Sequence, residues 1–503
     1  MTESTPPAAN ARDKTTRRKG SALFETAHLD KGLNRRIARS GAITVGAQVI
    51  KYGLRMGSVA ILARFLKPAD FGLIGLVTVV TGFVELFKDA GLSMATVQRK
   101  VITHAQISTL FWINVGLSLG LMLVESALAP VIAWYYKDPR LLPVTLALAS
   151  LTVFGGLSVQ HQALLRRNME FGRITFCDLL STLTGMVTGA YMATHGYGYW
   201  SLVGMSAGTS ISGAFLSFGM SGWVPSFPSR GNGVKPMLRF GSHLAGANFF
   251  NYLTRNSDNF IVGSMQGPAA LGIYSRAYAL FLMPMQQFLT PISSVVIPAL
   301  SRVTHEPARF RAIFLEKSYV VIFCVVLATG GSFAAAPEIV KIVLGPGWEE
   351  TIIIVRCLAL GGAIYGTNVA GSWISSTHGR GDRQLKVAMI AGPLYCLSFY
   401  IGSFYGLVGV AVAFSTMCLL LRYPMFRYLC RDTPIHPMDL IRPLVRVGAV
   451  AAAAAALAIW GARLLTTPVP FFVLLVKAGI FLAVAAVCWA TGLLVIPKIS
   501  RGE

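Results

Sequence analysis

The sequence predicts an all-α polytopic membrane protein of about 14 transmembrane helices, arranged as two parallel-repeat six-helix bundles plus two C-terminal helices. Three observations carry this expectation. The chain has 503 residues of which 54% are hydrophobic and only 13% charged, a composition that excludes a soluble globular domain. Apolar runs long enough to cross a ~30 Å hydrocarbon layer recur along most of its length. The stretch from Gly41 to Gly72 also occurs twice. A shift of 200 positions lays Gly41, Gly46, Ala47, Tyr52, Arg55, Ile61, Pro68, Ala69 and Gly72 on Gly241, Gly246, Ala247, Tyr252, Arg255, Ile261, Pro268, Ala269 and Gly272 without a gap.

Residues 1–40 are polar and basic and lack the short apolar core and cleavage site of a signal peptide. They read as a disordered cytoplasmic tail with an amphipathic piece near Leu33 to Ile37. Spans are then expected near 42–65, 71–96, 107–134, 141–159, 175–193, 198–219, 241–264, 273–299, 318–336, 351–373, 386–404, 406–425, 442–464 and 470–496. These fall into a first bundle at 41–220, a Pro/Gly-rich hinge linker at 221–240, a second bundle at 241–426, and two extra spans with a short tail at 427–503.

Lys and Arg separate the two sets of connections sharply. The tail and even-numbered loops carry 31, and the opposite set carries six, namely Arg64, Lys67, Lys137, Arg140, Lys341 and Arg463. The positive-inside rule therefore places both termini in the cytoplasm. It also accounts for the net charge of +23 without nucleic acid, since the basic residues sit in short connections and not on one soluble face. Seven cysteines are scattered through the spans with no CxxC pair, so neither a disulfide framework nor a metal site is expected.

Each copy of the repeat is a long apolar helix with an arginine near its middle, closed by a Pro-Ala-x-x-Gly turn. Six crossings separate the copies, so they share an orientation, as parallel transporter repeats do. An arginine at such depth costs about 3 kcal/mol on insertion scales, and its recurrence invites a functional reading. Lys51 and Arg55 share a helical face, about 15 and 21 Å above the cytoplasmic end of span one. Glu85 falls about 20 Å below the outer end of span two, level with Lys51, and a Lys51–Glu85 pair is expected. In span seven, Arg255 and Asp258 are spaced to pair, with Asn251 and Asn256 around them. Two readings stay open. Either these are buried ion pairs that lock helix register, or Lys51, Arg55 and Arg255 line an aqueous cavity for a phosphate or acidic sugar, with Glu85 or Asp258 carrying a coupling ion. Asp178, Arg276, Arg356 and Lys477 fall near span ends and read as reached by water or headgroups. His195 and His243 read as bystanders.

Several segments carry a family resemblance. They are Leu66-Lys-Pro-Ala-Asp-Phe-Gly-Leu, Gly91-Leu and Leu165-Arg-Arg-Asn-Met-Glu-Phe in the first half, and Leu238-Arg-Phe-Gly, Arg255-Asn-Ser-Asp-Asn-Phe-Ile-Val-Gly, Leu271-Gly-Ile-Tyr-Ser-Arg-Ala-Tyr and Pro298-Ala-Leu-Ser in the second. In order and spacing, from about residue 35 to 430, the chain resembles the polysaccharide transporter (Wzx-type lipid-linked oligosaccharide flippase) family of the multidrug/oligosaccharidyl-lipid/polysaccharide exporter superfamily.

The resemblance implies a bacterial inner-membrane flippase. It would carry undecaprenyl-diphosphate-linked oligosaccharide repeat units across the membrane by alternating access, for exopolysaccharide, capsule or O-antigen synthesis. No cofactor is implied. Membrane lipids are expected partners, and a polysaccharide polymerase and a chain-length regulator are the candidate protein partners. By the same resemblance the last two spans form a lipid-tail groove or else pack peripherally. The family offers no catalytic signature that would assign a role to any residue. A drug or metabolite exporter of the same superfamily is the nearest rival, and the basic residues of span one weigh against it. A membrane glycosyltransferase or polymerase would use the external Glu338, Glu349 and Glu350, which otherwise read as a solvated loop face. A scaffold role would leave the intramembrane charges unexplained. The chain has no GxxxxGK[ST] run, so coupling to a proton or sodium gradient is expected.

Overall fold

A computed structural model describes residues 33–89, 91–98, 102–228, 235–463 and 469–490. Every regular element among them is an α-helix. The order is α1 (Leu33–Phe65), α2 (Pro68–Asp89), α3 (Leu92–Gln98), α4 (His104–Tyr135), α5 (Leu141–Arg167), α6 (Phe171–Thr194), α7 (Trp200–Ser221) and α8 (Lys235–Ser301). It continues with α9 (Pro307–Ala334), α10 (Ala336–Val343), α11 (Glu349–Tyr365), α12 (Asn368–Thr377), α13 (Gly381–Ser403), α14 (Gly406–Leu429), α15 (Pro437–Arg463) and α16 (Pro470–Ala490). Ten stretches of described helix are long and apolar enough to cross a membrane. The expected count of 14 is not reached on that criterion. α6 carries Arg173, Asp178 and a run of threonines, and α8 carries asparagines, Arg255 and Asp258, which lower their hydropathy. Most of the N-terminal tail lies outside the described residues. The piece at Leu33 to Ile37 is the start of α1.

The chain divides into two compact units. The first comprises residues 1–58 and 77–253, the second 59–76 and 254–503. The C-terminal end of α1 and the start of α2 thus belong with the second unit.

In the first unit, Ile107, Leu110, Phe111 and Val115 of α4 form an apolar core with Leu92, Ala95, Leu164 and Trp223. The segment expected to be a free hinge is partly pinned here. Gly222 ends α7 in the left-handed region at φ 61°, where glycine suffers no Cβ penalty. Beyond it, Trp112 Nε1 donates to the Ser226 carbonyl at 2.9 Å, and the Ser226 amide donates to Ser108 Oγ at 3.1 Å. Residues 229–234 lie outside the described residues, and the chain is helical again from Lys235.

The two repeat turns meet inside the second unit. Gly267 breaks α8 with φ 83° and ψ −179°, and Pro268 starts its second part, as Pro68 starts α2. A Cβ on Gly72 would overlap the Pro268 carbonyl, and a Cβ on Gly272 would overlap the Pro68 carbonyl. The duplicated glycines therefore permit a reciprocal backbone contact that no larger residue allows. Trp348 buttresses it, donating from Nε1 to the Ala63 carbonyl at 3.2 Å with its ring edge-on to Phe71 at 5.4 Å. On the second copy, the Arg276 guanidinium lies 5.0 Å from the Phe71 ring centroid.

Candidate functional site

Four charged side chains of the first unit are organised around α1. Lys51 Nζ lies 2.8 Å from Asp178 Oδ2 of α6, with side-chain exposures of 23% and 38%. The expected Lys51–Glu85 pair does not form. Depth along the axis placed the two at one level, but Glu85 accepts from Lys88 Nζ at 3.0 Å, three residues further along its own helix. The lysine stem in turn lies against Gly155 of α5, where an added Cβ would sit 2.9 Å from its Cε. Asp178, read from the sequence as a span-end group reached by water or headgroups, is thus the counter-ion of Lys51.

Lys51 and Asp178 line a cavity of about 200 Å³ with Gln48 of α1, Arg166 of α5 and Thr175 of α6. Two cations against one carboxylate leave the cavity net positive. Arg55, one turn above Lys51 on α1, is exposed and has no side-chain partner among the described residues. The sequence put Arg166 in the connection between the spans at 141–159 and 175–193, and its place beside Lys51 had no local signal.

The second unit holds a separate cavity of about 260 Å³, lined by Asp258 and Tyr278 of α8, Tyr365, Asn368 of α12, and Gln384 and Tyr395 of α13. Asp258 is buried. Its Oδ1 accepts from the Asn259 amide at 2.8 Å and its Oδ2 from Tyr274 Oη at 3.1 Å. The side chain of Arg255 lies outside the described residues, so the expected Arg255–Asp258 pair does too. Deeper in the same unit, Arg422 Nη1 donates to Asn368 Oδ1 and the guanidinium lies 5.0 Å from the Phe426 ring. The sequence count put Arg422 with the cytoplasmic connection around 422–446, whereas it is buried at the start of the last third of α14.

Two further expectations are overturned. Lys477 of α16 is 7% exposed and donates to both oxygens of Glu338 at 2.9 Å and to the Ala334 carbonyl at 3.1 Å. Neither Lys477 nor Glu338 is a solvated group. The short helix α10 folds Glu338 back under α16. At the opposite set of connections, the Arg383 guanidinium holds the Asp432 carboxyl below the usual carboxylate range. No group of His, Cys, Asp and Glu able to hold a metal ion occurs among the described residues.

The chain is thus a helical membrane protein in two units, each with its own cavity holding charged side chains. The chain belongs to the polysaccharide biosynthesis protein family, whose model matches residues 61–353, within the polysaccharide transporter branch of the multidrug/oligosaccharidyl-lipid/polysaccharide exporter superfamily. It is 27% identical over 382 residues to the lipopolysaccharide biosynthesis protein WzxC of Escherichia coli (strain K12), covering 73% of this chain and 75% of that one. It is 25% identical over 330 residues to the succinoglycan biosynthesis transport protein ExoT of Rhizobium meliloti (strain 1021), covering 64% and 66%. Its fold resembles the lipid II flippase MurJ in an inward closed conformation, with TM-score 0.69, 15% identity and coverage of 88% and 98%. A multidrug resistance MATE family transporter in an inward-facing conformation gives TM-score 0.58 at 15% identity, covering 79% and 94%.

Proposed function

We propose that this protein is a flippase for undecaprenyl-diphosphate-linked oligosaccharide repeat units in a bacterial inner membrane, serving exopolysaccharide, capsule or O-antigen synthesis. The observation that carries this reading is the net positive cavity of Lys51, Arg166 and Asp178 beneath the exposed Arg55, in a chain of the polysaccharide biosynthesis family. A diphosphate and a string of hydroxyls cannot cross hydrocarbon unaided, while an isoprenoid tail never has to leave it. Fixed cations at membrane depth lower the barrier to the headgroup alone. Arg55 and Arg255 hold the diphosphate or an acidic sugar, and Lys51, neutralised in part by Asp178, sets the potential below them.

In this reading residues 41–220 and 241–426 are the two alternating lobes, residues 427–503 are accessory, and 14 crossings leave both termini in the cytoplasm. Asp258, a carboxylate among tyrosine hydroxyls and Asn368, carries the coupling ion in the second lobe. Glu85 stands instead in an ion pair with Lys88.

The drug-exporter alternative calls for an acidic or apolar binding surface, which the first cavity is not. The glycosyltransferase alternative needs free carboxylates, and Glu338 is engaged by Lys477. Arg55→Gln combined with Arg255→Gln, expressed at wild-type level in the producing strain, is expected to lower polymer export at least about tenfold, the loss of about 1.4 kcal/mol of headgroup stabilisation. Unchanged export would reject the cationic route.

A further inference from the structure

The first unit contains a carboxyl group that the reading above does not use. Glu125 lies ten residues from the end of α4 and is 1% exposed. Its Oε2 accepts from Thr152 Oγ1 of α5 at 3.0 Å, and its Oε1 is buried with no hydrogen-bond partner. Asn114 and Ser118 stand 11 and seven positions earlier on the same helix, and both are 0% exposed. At 100° per residue these three fall on one face. Ser118 Oγ and both amide atoms of Asn114 are also buried without a partner. α5 completes the seam, because a Cβ on Gly156 would overlap Ser118 Oγ and press on the Asn114 carbonyl.

Such a row is expensive as a purely structural device, since each orphaned polar atom forfeits hydration. Apolar residues of the same shape would pack the two helices at no such cost. A carboxyl whose second oxygen has no protein partner, followed by a row of donors and acceptors, is the arrangement of a proton-binding group with a polar way in. We propose that Glu125 is a proton-binding site of the first unit, distinct from Asp258, and that its protonation is coupled to transport.

The other groups around it favour a proton over a metal cation. From α2, Lys88 and Glu85 are the charged groups whose field reaches Glu125. From α5 only the Thr152 hydroxyl touches it, and α3 and α7 bring no titratable side chain. A hard cation requires a shell of oxygens, and here one carboxyl and one hydroxyl are offered beside an ammonium. A proton requires a single free oxygen, Oε1. Bound there, it turns the carboxylate into a carboxylic acid that donates from Oε1 while Oε2 keeps its bond from Thr152. Its release restores the carboxylate. The Glu85–Lys88 pair, with Glu85 half exposed, is the adjoining water-facing end of the path.

The role in coupling rests on the flippase reading, whereas the proton site itself does not, and two measurements separate them. Infrared difference spectra of the full-length protein in lipid, wild type minus Glu125→Gln, should show a titrating carboxylic-acid C=O band, which Thr152→Val displaces in frequency and Glu125→Asp retains. An identical carboxyl region in wild type and Glu125→Gln would overturn the proton site. In proteoliposomes carrying undecaprenyl-diphosphate oligosaccharide, an imposed pH difference should accelerate wild-type translocation, up to about tenfold per pH unit at the coupling limit, and leave Glu125→Gln unresponsive. A response equal to wild type in Glu125→Gln would overturn the coupling role. If wild type moves no lipid-linked oligosaccharide at all, the flippase reading fails, and the infrared result still decides whether Glu125 binds a proton.

Discussion

Glu338 and Lys477 show how much a single pair can hold when it is shut away from water. With side chains 12% and 7% exposed respectively, removal of one partner leaves the other charge buried, at a cost of about 3–5 kcal/mol. Lys477→Met alone is therefore expected to lower the thermal midpoint in detergent markedly, and the double variant Glu338→Gln/Lys477→Met to recover most of the loss; equal destabilisation by both would mean the pair does not act as a unit. Asp432 supplies the contrasting exposed case. Its carboxyl is held below the usual range chiefly by the hydrogen bond from Arg383, so the folded state favours the charged form. That stabilisation is complete above the unfolded value of about 3.9 and is lost as pH falls through the lower, folded value. Arg383→Ala should remove this increment near neutral pH and with it this part of the acid dependence, so that wild type and variant converge in stability at acid pH, as an unfolding series from neutral to acid pH would reveal. These residues also mark where position along the chain misleads. Lys477 and Asp178 were assigned by their distance from a span end and Arg422 was counted with a connection, and each proves to have its partner on another helix, which no one-dimensional count contains.

Among elements, the reciprocal turns are the clearest product of the duplication. Gly72 and Gly272 let the two Pro-Ala-x-x-Gly corners touch backbone to backbone, and Trp348 and Arg276 pack around Phe71 on top of them. Gly72→Val and Gly272→Val should each destabilise the protein by at least about 1–3 kcal/mol, the usual range for overpacking, because the obstacle is a carbonyl that cannot rotate away. Gly46→Ala in the same repeat, with open space around it, serves as the neutral control in the same thermal assay. The sequence made this legible in part. Nine coincidences at a fixed spacing disclosed two equivalent corners, and apolar length disclosed most of the helices. The contact between the corners was not legible, because a repeat specifies similarity and not adjacency. The short helices α3, α10 and α12 were also hidden, since seven to ten residues neither span a membrane nor show a long period. The pinned start of the linker was concealed by the very prolines and glycines that suggested a hinge.

For the whole molecule, the two units differ in the charge gathered around their cavities. The first presents Lys51 and Arg166 against Asp178, with Arg55 exposed one turn along α1, whereas the second surrounds Asp258 with hydroxyl and amide groups. In the function proposed above, that asymmetry is a division of labour in which the first unit meets an anionic headgroup and the second a coupling ion. Intramembrane Lys51, Arg55, Arg255 and Asp258 were identifiable in sequence because charge is rare in apolar runs. Their partners were not, as the correction from Glu85 to Asp178 illustrates. The central claim is that membrane-embedded cations carry a diphosphate headgroup. Its most direct test is the initial rate at which undecaprenyl-diphosphate oligosaccharide changes leaflet in vesicles, read by accessibility to an external lectin, for wild type and for Arg55→Gln/Arg255→Gln at equal protein content. A fall of at least about tenfold in the variant, with the wild-type rate restored by Lys at both positions, is the result this account predicts. Equal rates in wild type and the glutamine variant would contradict it.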